Sequence, residues 1–197
     1  MHVYIIYAHP AQRSFSREVM EAFVHGLSDA KHTCEIGDLY AMGFRGDMNE
    51  TEYRREVSGY PGAPLPRDVA EEHRKIERAD TLVFIFPLWW SDCPAILKGW
   101  FDRVWSYGYA YFYDDSEQRH TRIKIKKAIV ICPAGHTADH LEETGIAGSM
   151  RSIMLKDRLL GVGVGEATME ILGGMMPGDS KFRDVNLAKA YELGRAL

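Results

Sequence analysis

The hydrophobic pattern divides the chain into short apolar segments that alternate with longer amphipathic ones. Most of the short segments are continuously apolar, which is typical of strands covered on both faces of a parallel sheet. Five segments have the length and residue content of strands: residues 2–7, 33–40, 81–86, 128–131 and 167–172. Helical spacing of apolar residues predicts helices that begin near Ser14 or Ser16 and that cover 67–79, 95–104, about 150–159 and 185–197.

Strands and helices alternate at spacings that allow right-handed crossovers, so the sequence predicts an α/β fold. We expect a doubly wound, five-stranded parallel sheet with strand order 2-1-3-4-5. In that order the first, third and fourth strands lie side by side. The loops at their carboxyl ends then meet at the switch point, where such sheets bind ligands.

Length, charge and cysteine content narrow the class of protein. A chain of 197 residues suits a single domain, expected over residues 1–197. The net charge of −4 argues against nucleic acid as a partner, and the apolar runs are too short for membrane insertion. Cys34, Cys93 and Cys132 are odd in number and widely spaced, which favours reduced thiols in a cytoplasmic protein.

The loop after the first strand combines donors with a cation. It contains His9 and Arg13, and Ser14 and Ser16 follow at the start of a predicted helix. The free N–H groups of a helix N-terminus can bind phosphate. In the alternative interpretation, a serine only caps the helix and His9 is an ordinary surface residue.

The loop after the third strand carries two adjacent tryptophans, Trp89 and Trp90, behind Pro87 and Leu88. Two indoles at a sheet edge are costly to leave in water unless something flat and apolar covers them. They either form a wall for a planar cofactor or fold back into the core, and the pattern alone leaves both open.

The loop after the fourth strand, Pro133-Ala134-Gly135-His136, is followed four residues later by His140. Two histidines at this spacing can chelate a metal on one helical face. The sequence shows no glutamate after His136 and no evident third ligand, so we predict no metal site.

Two further segments lack a clear periodic pattern. Residues 41–66 are polar and rich in Gly and Pro, and a connection of this length covers a site, meets a partner or wraps the surface. Residues 106–113 are rich in tyrosine. They form a pocket rim or subunit interface, or else they fill the core.

Several of these motifs together resemble a known family. They are His9-Pro10 with Ser14-Phe15-Ser16, FPLWW at 86–90 and CPAILKGWFDRV at 93–104. They are similar to the flavodoxin-like NAD(P)H:quinone reductases, the DT-diaphorase and modulator-of-drug-activity group. Spaced matches extend from residue 3 to about residue 175. The resemblance implies a flavodoxin-like fold.

The resemblance also implies three loops that hold a flavin, with NAD(P)H as co-substrate. Segment 41–66 resembles the part of FAD-binding members that holds the adenine, which favours FAD over FMN. The phosphate or pyrophosphate would bind to His9, Ser14, Phe15 and Ser16. The isoalloxazine ring would lie between the third-strand loop (Pro87, Leu88, Trp89, Trp90) and the fourth-strand loop (Pro133, Ala134, Gly135, His136). The substrate pocket would contain Trp89, Tyr111 and Tyr113, the tyrosines typically coming from the second subunit of a homodimer.

One departure from the family concerns catalysis. Vertebrate-type members carry a histidine within Gly-Ile-His-Gly, proposed to relay a proton, and a tyrosine in the same loop. Here Ala147 replaces that histidine, and His140 stands near the tyrosine position. Hydride transfer depends mainly on positioning, so the activity can survive this loss. We hypothesise that His140 or His136 neutralises charge at the flavin.

The leading interpretation is an NAD(P)H dehydrogenase of the quinone type. It would pass two electrons, by ping-pong hydride transfer, to a quinone-like, nitro or azo acceptor. A second interpretation is a regulatory flavoprotein subunit of a potassium efflux system, as some relatives are. A third is a flavodoxin-type electron carrier, against which the His-Pro end of the first strand and the mild net charge argue.

Overall fold

The computed structural model describes residues 1–58, 64–176 and 181–197. Its centre is a parallel sheet with the order β2-β1-β3-β6-β7, which confirms the predicted order of the five strands. These strands are β1 His2–Tyr7, β2 Thr33–Asp38, β3 Thr81–Ile85, β6 Lys127–Pro133 and β7 Glu166–Leu172. Two short strands, β4 Phe112–Tyr113 and β5 Arg119–His120, form a separate antiparallel hairpin.

Helices cover both faces of the sheet. On one face α1 and α7 pack over the side chains of Val3, Ile5 and Tyr7, and on the other face α3 and α4 cover Tyr4 and Ile6. The helices are α1 Phe15–Asp29, α2 Glu50–Ser58, α3 Arg67–Arg78, α4 Ala95–Val104, α5 Ala138–Glu143, α6 Ile146–Arg151 and α7 Arg183–Arg195. In the described part of the chain, no helix has both the length and the apolar character needed to span a membrane.

The three central strands end at the same edge of the sheet. The register pairs Tyr7 with Ile85 and Ile85 with Ile131. The backbone bonding continues beyond the strands, because the N–H of Leu88 donates to the carbonyl of Pro133 at 2.8 Å. The loops after β1, β3 and β6 therefore lie side by side, as the predicted strand order required.

The prediction that residues 41–66 lack regular structure was wrong, since α2 lies within them; residues 59–63 are outside the described part. A reciprocal cap starts this helix. The Asn49 side chain accepts from the N–H of Glu52, and the Glu52 carboxylate accepts from the N–H of Asn49, both at 2.9 Å. This is a capping box, a local signal that was present in the sequence.

Three further expectations need correction. Residues 106–113 were expected outside regular elements, but Phe112 and Tyr113 form β4, which pairs with β5 in the hairpin. The single helix expected around 150–159 is instead three consecutive elements: α6, a π-helical segment, Ser152–Leu159, and a 3₁₀ turn, Leu160–Val162. The short helix α5 precedes them in the chain. The second strand ends at Asp38, two residues early.

Buried polar groups fix the helices on the α3–α4 face. The fully buried carboxylate of Glu72 accepts hydrogen bonds from the Tyr4 hydroxyl and from Nε1 of Trp100, the latter at 2.7 Å. Burial, reinforced by the Glu72 charge, raises the pKa of Tyr4. Buried Arg103 donates from Nε to Glu52 at 2.7 Å and from Nη1 to Asp68 at 2.6 Å. These bonds tie α2 and α3 to α4, and they tie α3 to β1 of the sheet beneath.

Candidate functional site

A cavity of about 390 Å³ opens at the carboxyl edge of the sheet. Three parts of the chain line it: the loop after β3, the loop after β6, and the short helices α5 and α6. The lining residues are Leu88, Trp90, Ser91, Gly135, His136, Leu141 and Ile146. Two of the loops that the sequence pointed to therefore meet at one cavity.

The β3 loop contains a tight turn, residues 89–92. Trp89 and Asp92 exchange two backbone hydrogen bonds, both of 3.1 Å. The two central residues, Trp90 and Ser91, have positive φ angles of 49° and 65°. A non-glycine residue in this left-handed region costs about 1–2 kcal/mol. Something outside the turn must offset that cost.

The turn points both indoles outward. The Trp90 side chain is fully exposed, and Trp89 is 41% exposed. The alternative in which these tryptophans fold back into the core is therefore wrong. Exposed indoles beside a cavity are suited to covering a flat ligand.

A partly buried ion pair secures the end of the turn. The carboxylate of Asp92 receives two hydrogen bonds from the Arg158 guanidinium, at 3.0 and 3.1 Å, and one from the N–H of Cys93 at 2.7 Å. Burial works to raise the pKa of Asp92, but these donors outweigh it and leave that pKa below its ordinary value. Burial, with Asp92 adding to it, raises the pKa of Cys93 to about 12, so this thiol stays protonated and unreactive.

The loop after β1 leads directly into α1. Ser14 is the N-cap, and its hydroxyl accepts from the N–H of Arg17 at 3.2 Å. Ser16 is buried in the first turn, while Phe15 is half-buried beneath the guanidinium of Arg183, 5.5 Å from its ring centre. Ser14 rather than Ser16 thus caps the helix. The Arg17 and Glu18 N–H groups are taken by Ser14, but those of Phe15 and Ser16 have no described acceptor and remain suited to an anion.

His9 links the β1 loop to the β3 loop. Its ring lies 5.9 Å from that of Trp89, centre to centre, and its Nδ1 accepts from the N–H of Ala11 at 3.0 Å. Arg13 is exposed nearby in sequence. A second cavity, of about 240 Å³, lies beside this loop and is lined by Tyr7, His9, Pro10, Ala11, Gln12, Arg17, Asp38, Tyr40 and Ala41.

In the β6 loop, only part of the predicted set lines the cavity. Pro133 and Ala134 are buried behind it, and their backbone groups are already paired: Ala134 donates to Leu172 at 3.0 Å. Gly135 and His136 line the cavity itself. Pro87 is likewise buried behind Leu88.

His136 and His140 form a pair at the end of this loop. Their rings lie 4.6 Å apart, centre to centre, and both side chains are exposed. The described lining of the cavity includes His136 but not His140. Among the described residues, no three His, Cys, Asp or Glu side chains are grouped to hold a metal. Ala147, at the position of the family histidine, is fully buried next to Ile146.

Tyr111 and Tyr113 lie on and beside the β4–β5 hairpin. Tyr111 packs edge-on against Tyr107 at 5.5 Å, and Tyr113 is exposed. Neither is among the described residues that line the cavity. A contribution from a second subunit, the arrangement expected from the resemblance, stays a prediction.

The residues present fit a planar cofactor with a phosphate. The cavity volume falls within the range of about 300–1,000 Å³ that is usual for small-molecule sites. Its walls are mostly apolar, an exposed indole stands at its mouth, and a capped helix N-terminus lies in the neighbouring loop. In an open α/β sheet cofactors bind at the switch point, here between β1 and β3, and the β3 loop borders both that point and the cavity.

The fold and this site define the class of protein. A family model described as a flavodoxin-like fold matches residues 1–193. The chain belongs to this flavodoxin-like family, which confirms the fold that the resemblance implied.

Individual relatives narrow the comparison further. The structure is similar to that of an NAD(P)H:quinone oxidoreductase from Methanothermobacter marburgensis, with 66% identity and a TM-score of 0.96 over 99% of this chain and 98% of that one. The mouse ribosyldihydronicotinamide dehydrogenase [quinone] is 34% identical over 170 residues, covering 76% of this chain and 70% of that protein. An uncharacterized NAD(P)H oxidoreductase from Haemophilus influenzae is 29% identical over 193 residues, covering 98% of this chain and 93% of that protein.

Sequence reasoning missed several residues of the site. Leu141 and Ile146 complete the apolar wall, and they carried no signal beyond being apolar residues in a polar stretch. Arg158, which holds Asp92, lies 66 residues from it in the chain. A contact across that distance leaves no local pattern in a single sequence.

Proposed function

We propose that this protein is a flavin-dependent NAD(P)H oxidoreductase that passes two electrons to a quinone-like acceptor, with nitro and azo compounds as related substrates. One observation carries the proposal. The cavity at the sheet edge is lined by the β3 loop, whose Trp89 ring lies 5.9 Å from that of His9 in the loop leading to the α1 N-terminus, and the chain is 66% identical over 99% of its length to an NAD(P)H:quinone oxidoreductase.

Named residues would hold the flavin. Leu88, Trp90 and Ser91 face one side of the ring site, with Gly135 and His136 on the other and Leu141 and Ile146 closing the apolar wall. The N-terminus of α1, with Ser14 as its cap, suits the phosphate. A bound flavin supplies the two-electron redox chemistry between NAD(P)H and the acceptor.

The protein's own contribution to this chemistry is positioning. Its apolar walls exclude water, and the β3 and β6 loops, joined by the Leu88–Pro133 hydrogen bond, fix where a flat substrate can lie. NAD(P)H and the acceptor would take turns over one face of the bound flavin, beside Trp89 and Tyr111, in a ping-pong sequence. Catalysis therefore needs no second substrate site.

FAD is the favoured flavin, with FMN as the alternative. The cavity of about 240 Å³ beside the β1 loop offers room for a second half of a dinucleotide. Its lining includes Tyr40 and Ala41, where the long segment 41–66 begins. This position supports a contribution of that segment to the adenine half.

His140 and His136 are the candidate catalytic residues. His136 lines the cavity, and the His140 ring lies 4.6 Å from that of His136; buried Ala147 stands at the position of the usual family histidine. An imidazole changes charge near neutral pH. One of the two would hold a proton at its ring nitrogen and so neutralise negative charge that develops at the flavin.

The active form is a homodimer in the cytoplasm. Tyr111 and Tyr113 lie away from the cavity of their own chain and are free to complete the site of a partner subunit. Trp89, Trp90 and Tyr113 expose aromatic surface that association would bury. Free thiols at Cys34, Cys93 and Cys132 suit a reducing compartment.

The decisive experiment is to purify the protein, record its visible spectrum and identify any released flavin by mass. We expect a yellow protein, or one that binds added FAD or FMN tightly. It should consume NAD(P)H continuously in the presence of a quinone and without a partner protein, which also separates an enzyme from an electron carrier. A colourless protein that takes up neither flavin would contradict the proposal.

A further inference from the structure

The π-helical segment Ser152–Leu159 contains Arg158, which contacts residues at both ends of α4. The backbone carbonyl of Arg158 accepts a hydrogen bond from Nε1 of Trp105, just after α4, at 2.7 Å. Its side chain passes the ring of Phe101, 5.3 Å from the guanidinium carbon, and reaches Asp92, just before α4. One residue thereby contacts both ends of the helix that follows the Trp89–Asp92 turn.

The contact with Asp92 has a specific geometry. Two guanidinium nitrogens, Nη1 and Nη2, donate to the two carboxylate oxygens at 3.0 and 3.1 Å. The Arg158 side chain is only 10% exposed, and Nη1 also contacts the sulfur atoms of Met154 and Cys93 at 2.9 and 3.5 Å. A lysine could supply the charge but not this two-pronged contact.

The turn itself depends on outside support. Its central residues, Trp90 and Ser91, are both in the left-handed region, which is unfavourable for residues other than glycine. Because the Trp90 side chain is fully exposed, packing does not fix it. The two backbone hydrogen bonds between Trp89 and Asp92 close the turn, and Asp92 is its only residue with a described ion pair.

We infer that Arg158 is a positioning residue, which holds the strained Trp89–Asp92 turn so that Trp90 and Ser91 line the cavity. Arg158 lies in the π-helical segment, and its side chain and its carbonyl contact opposite ends of α4. π-Helical segments are frequent at functional sites. The effect on the turn follows from the contacts themselves. Its effect on flavin affinity rests on the proposed function.

The test uses Arg158→Ala, Arg158→Lys, Asp92→Asn and the Arg158→Ala/Asp92→Asn double variant of the full chain. Arg78→Ala is the matched control, because it removes an ion pair between two elements, with Glu35, at the opposite edge of the sheet. Two quantities are measured: amide hydrogen exchange over residues 88–94 in flavin-free protein, and the Kd for added FMN and for added FAD.

We expect Arg158→Ala and Asp92→Asn each to accelerate exchange in residues 88–94 selectively and to weaken flavin binding about tenfold, with Arg158→Lys intermediate. Because the two residues act through one contact, the double variant should also lose about tenfold, whereas independent effects would give about a hundredfold. Arg78→Ala should change neither quantity.

Three outcomes would overturn the inference: unchanged exchange over residues 88–94, exchange accelerated equally throughout the chain, or multiplying losses in the double variant. A wild-type protein that binds neither flavin would instead contradict the proposed function. In that case the exchange measurement alone decides whether Arg158 holds the turn.

Discussion

At the scale of single residues, His73 shows how burial fixes a charge state. Its ring stacks on Tyr109 at 3.6 Å between centres, and its Nε2 bonds to the carbonyl of Val104 at 2.8 Å. Burial lowers the pKa of His73 to about 4. The imidazole is therefore neutral in the folded protein at the pH at which an exposed histidine begins to accept a proton.

This gives a prediction for stability. The pKa of His73 is about 4 in the folded protein and about 6.5 in the unfolded chain. Between these pH values His73 is protonated in the unfolded chain but neutral in the folded protein. The free energy of unfolding should therefore fall as pH falls through this window, by up to about 3 kcal/mol. Urea unfolding at several pH values should show a shallower decline for His73→Gln than for wild type. His25→Gln, at an exposed site on α1, is the control; equal declines in wild type and His73→Gln would refute the prediction.

A second prediction at this scale concerns His140. Anaerobic stopped-flow mixing with NAD(P)H should show flavin reduction slowed about tenfold in His140→Ala, less than is usual for loss of a full acid–base catalyst. His136→Ala tests the neighbouring ring, and His25→Ala serves as the control. A wild-type rate in His140→Ala at every pH near neutrality would dispose of this hypothesis.

At the scale of elements, α4 and the segment before α2 meet at two glycines. A Cβ added at Gly99 would lie 1.9 Å from the carbonyl oxygen of Gly46 and 2.4 Å from its Cα. Both atoms belong to the backbone, so neither can rotate away. The close approach holds residues 44–49 against the helix that follows the Trp89–Asp92 turn.

Gly99→Ala should therefore destabilise the protein by about 1–3 kcal/mol, although alanine favours a helix more than glycine does. Gly148→Ala in α6 is the matched control, since a Cβ there would have no described atom within 4 Å. That variant should be neutral or slightly stabilising. Thermal or urea unfolding of both variants checks the prediction, which fails if Gly99→Ala is as stable as wild type.

Elements with a long apolar pattern were predictable, and those defined by tertiary contacts were not. The five strands of the parallel sheet and α1, α3, α4 and α7 follow from periodicity, and the sheet order follows from their alternation. α2 was missed although Asn49 and Glu52 formed a capping box, because its composition is polar. The β4–β5 hairpin has only two residues in each strand, too few to give an alternating pattern.

The candidate site divides in the same way. Leu88, Trp90, Gly135 and His136 lie in loops that follow apolar strands, the family resemblance implied that they contact the flavin, and all four line the cavity. The wall from α5 and α6 and the Arg158–Asp92 contact depend on how distant segments pack. Packing of that kind is decided by the whole fold and leaves little trace in one sequence.

At the scale of the whole molecule, exposed aromatic side chains point to association. Light scattering after gel filtration should give a mass twice the 22.4 kDa of one chain. Tyr113→Asp should weaken the dimer about tenfold or more, because the interface would have to bury an unpaired charge. Val185→Asp, at an exposed site on α7, should leave the dimer intact. A monomeric wild-type protein would refute the prediction.

The hydrogen bond from Leu88 to Pro133 also affects how the cavity can adapt to ligands of different size. Together with the hydrogen bond from Ala134 to Leu172, it connects the β3 and β6 loops, which form the floor of the cavity, to one another and to the end of β7. A larger ligand cannot push the β3 and β6 loops apart without breaking these backbone hydrogen bonds. Accommodation must come from the opposite wall, where α5 and α6 have six residues each and face water on their outer side. Under the proposed function, we therefore expect Leu141 and Ile146, more than the strand loops, to set the breadth of acceptor choice.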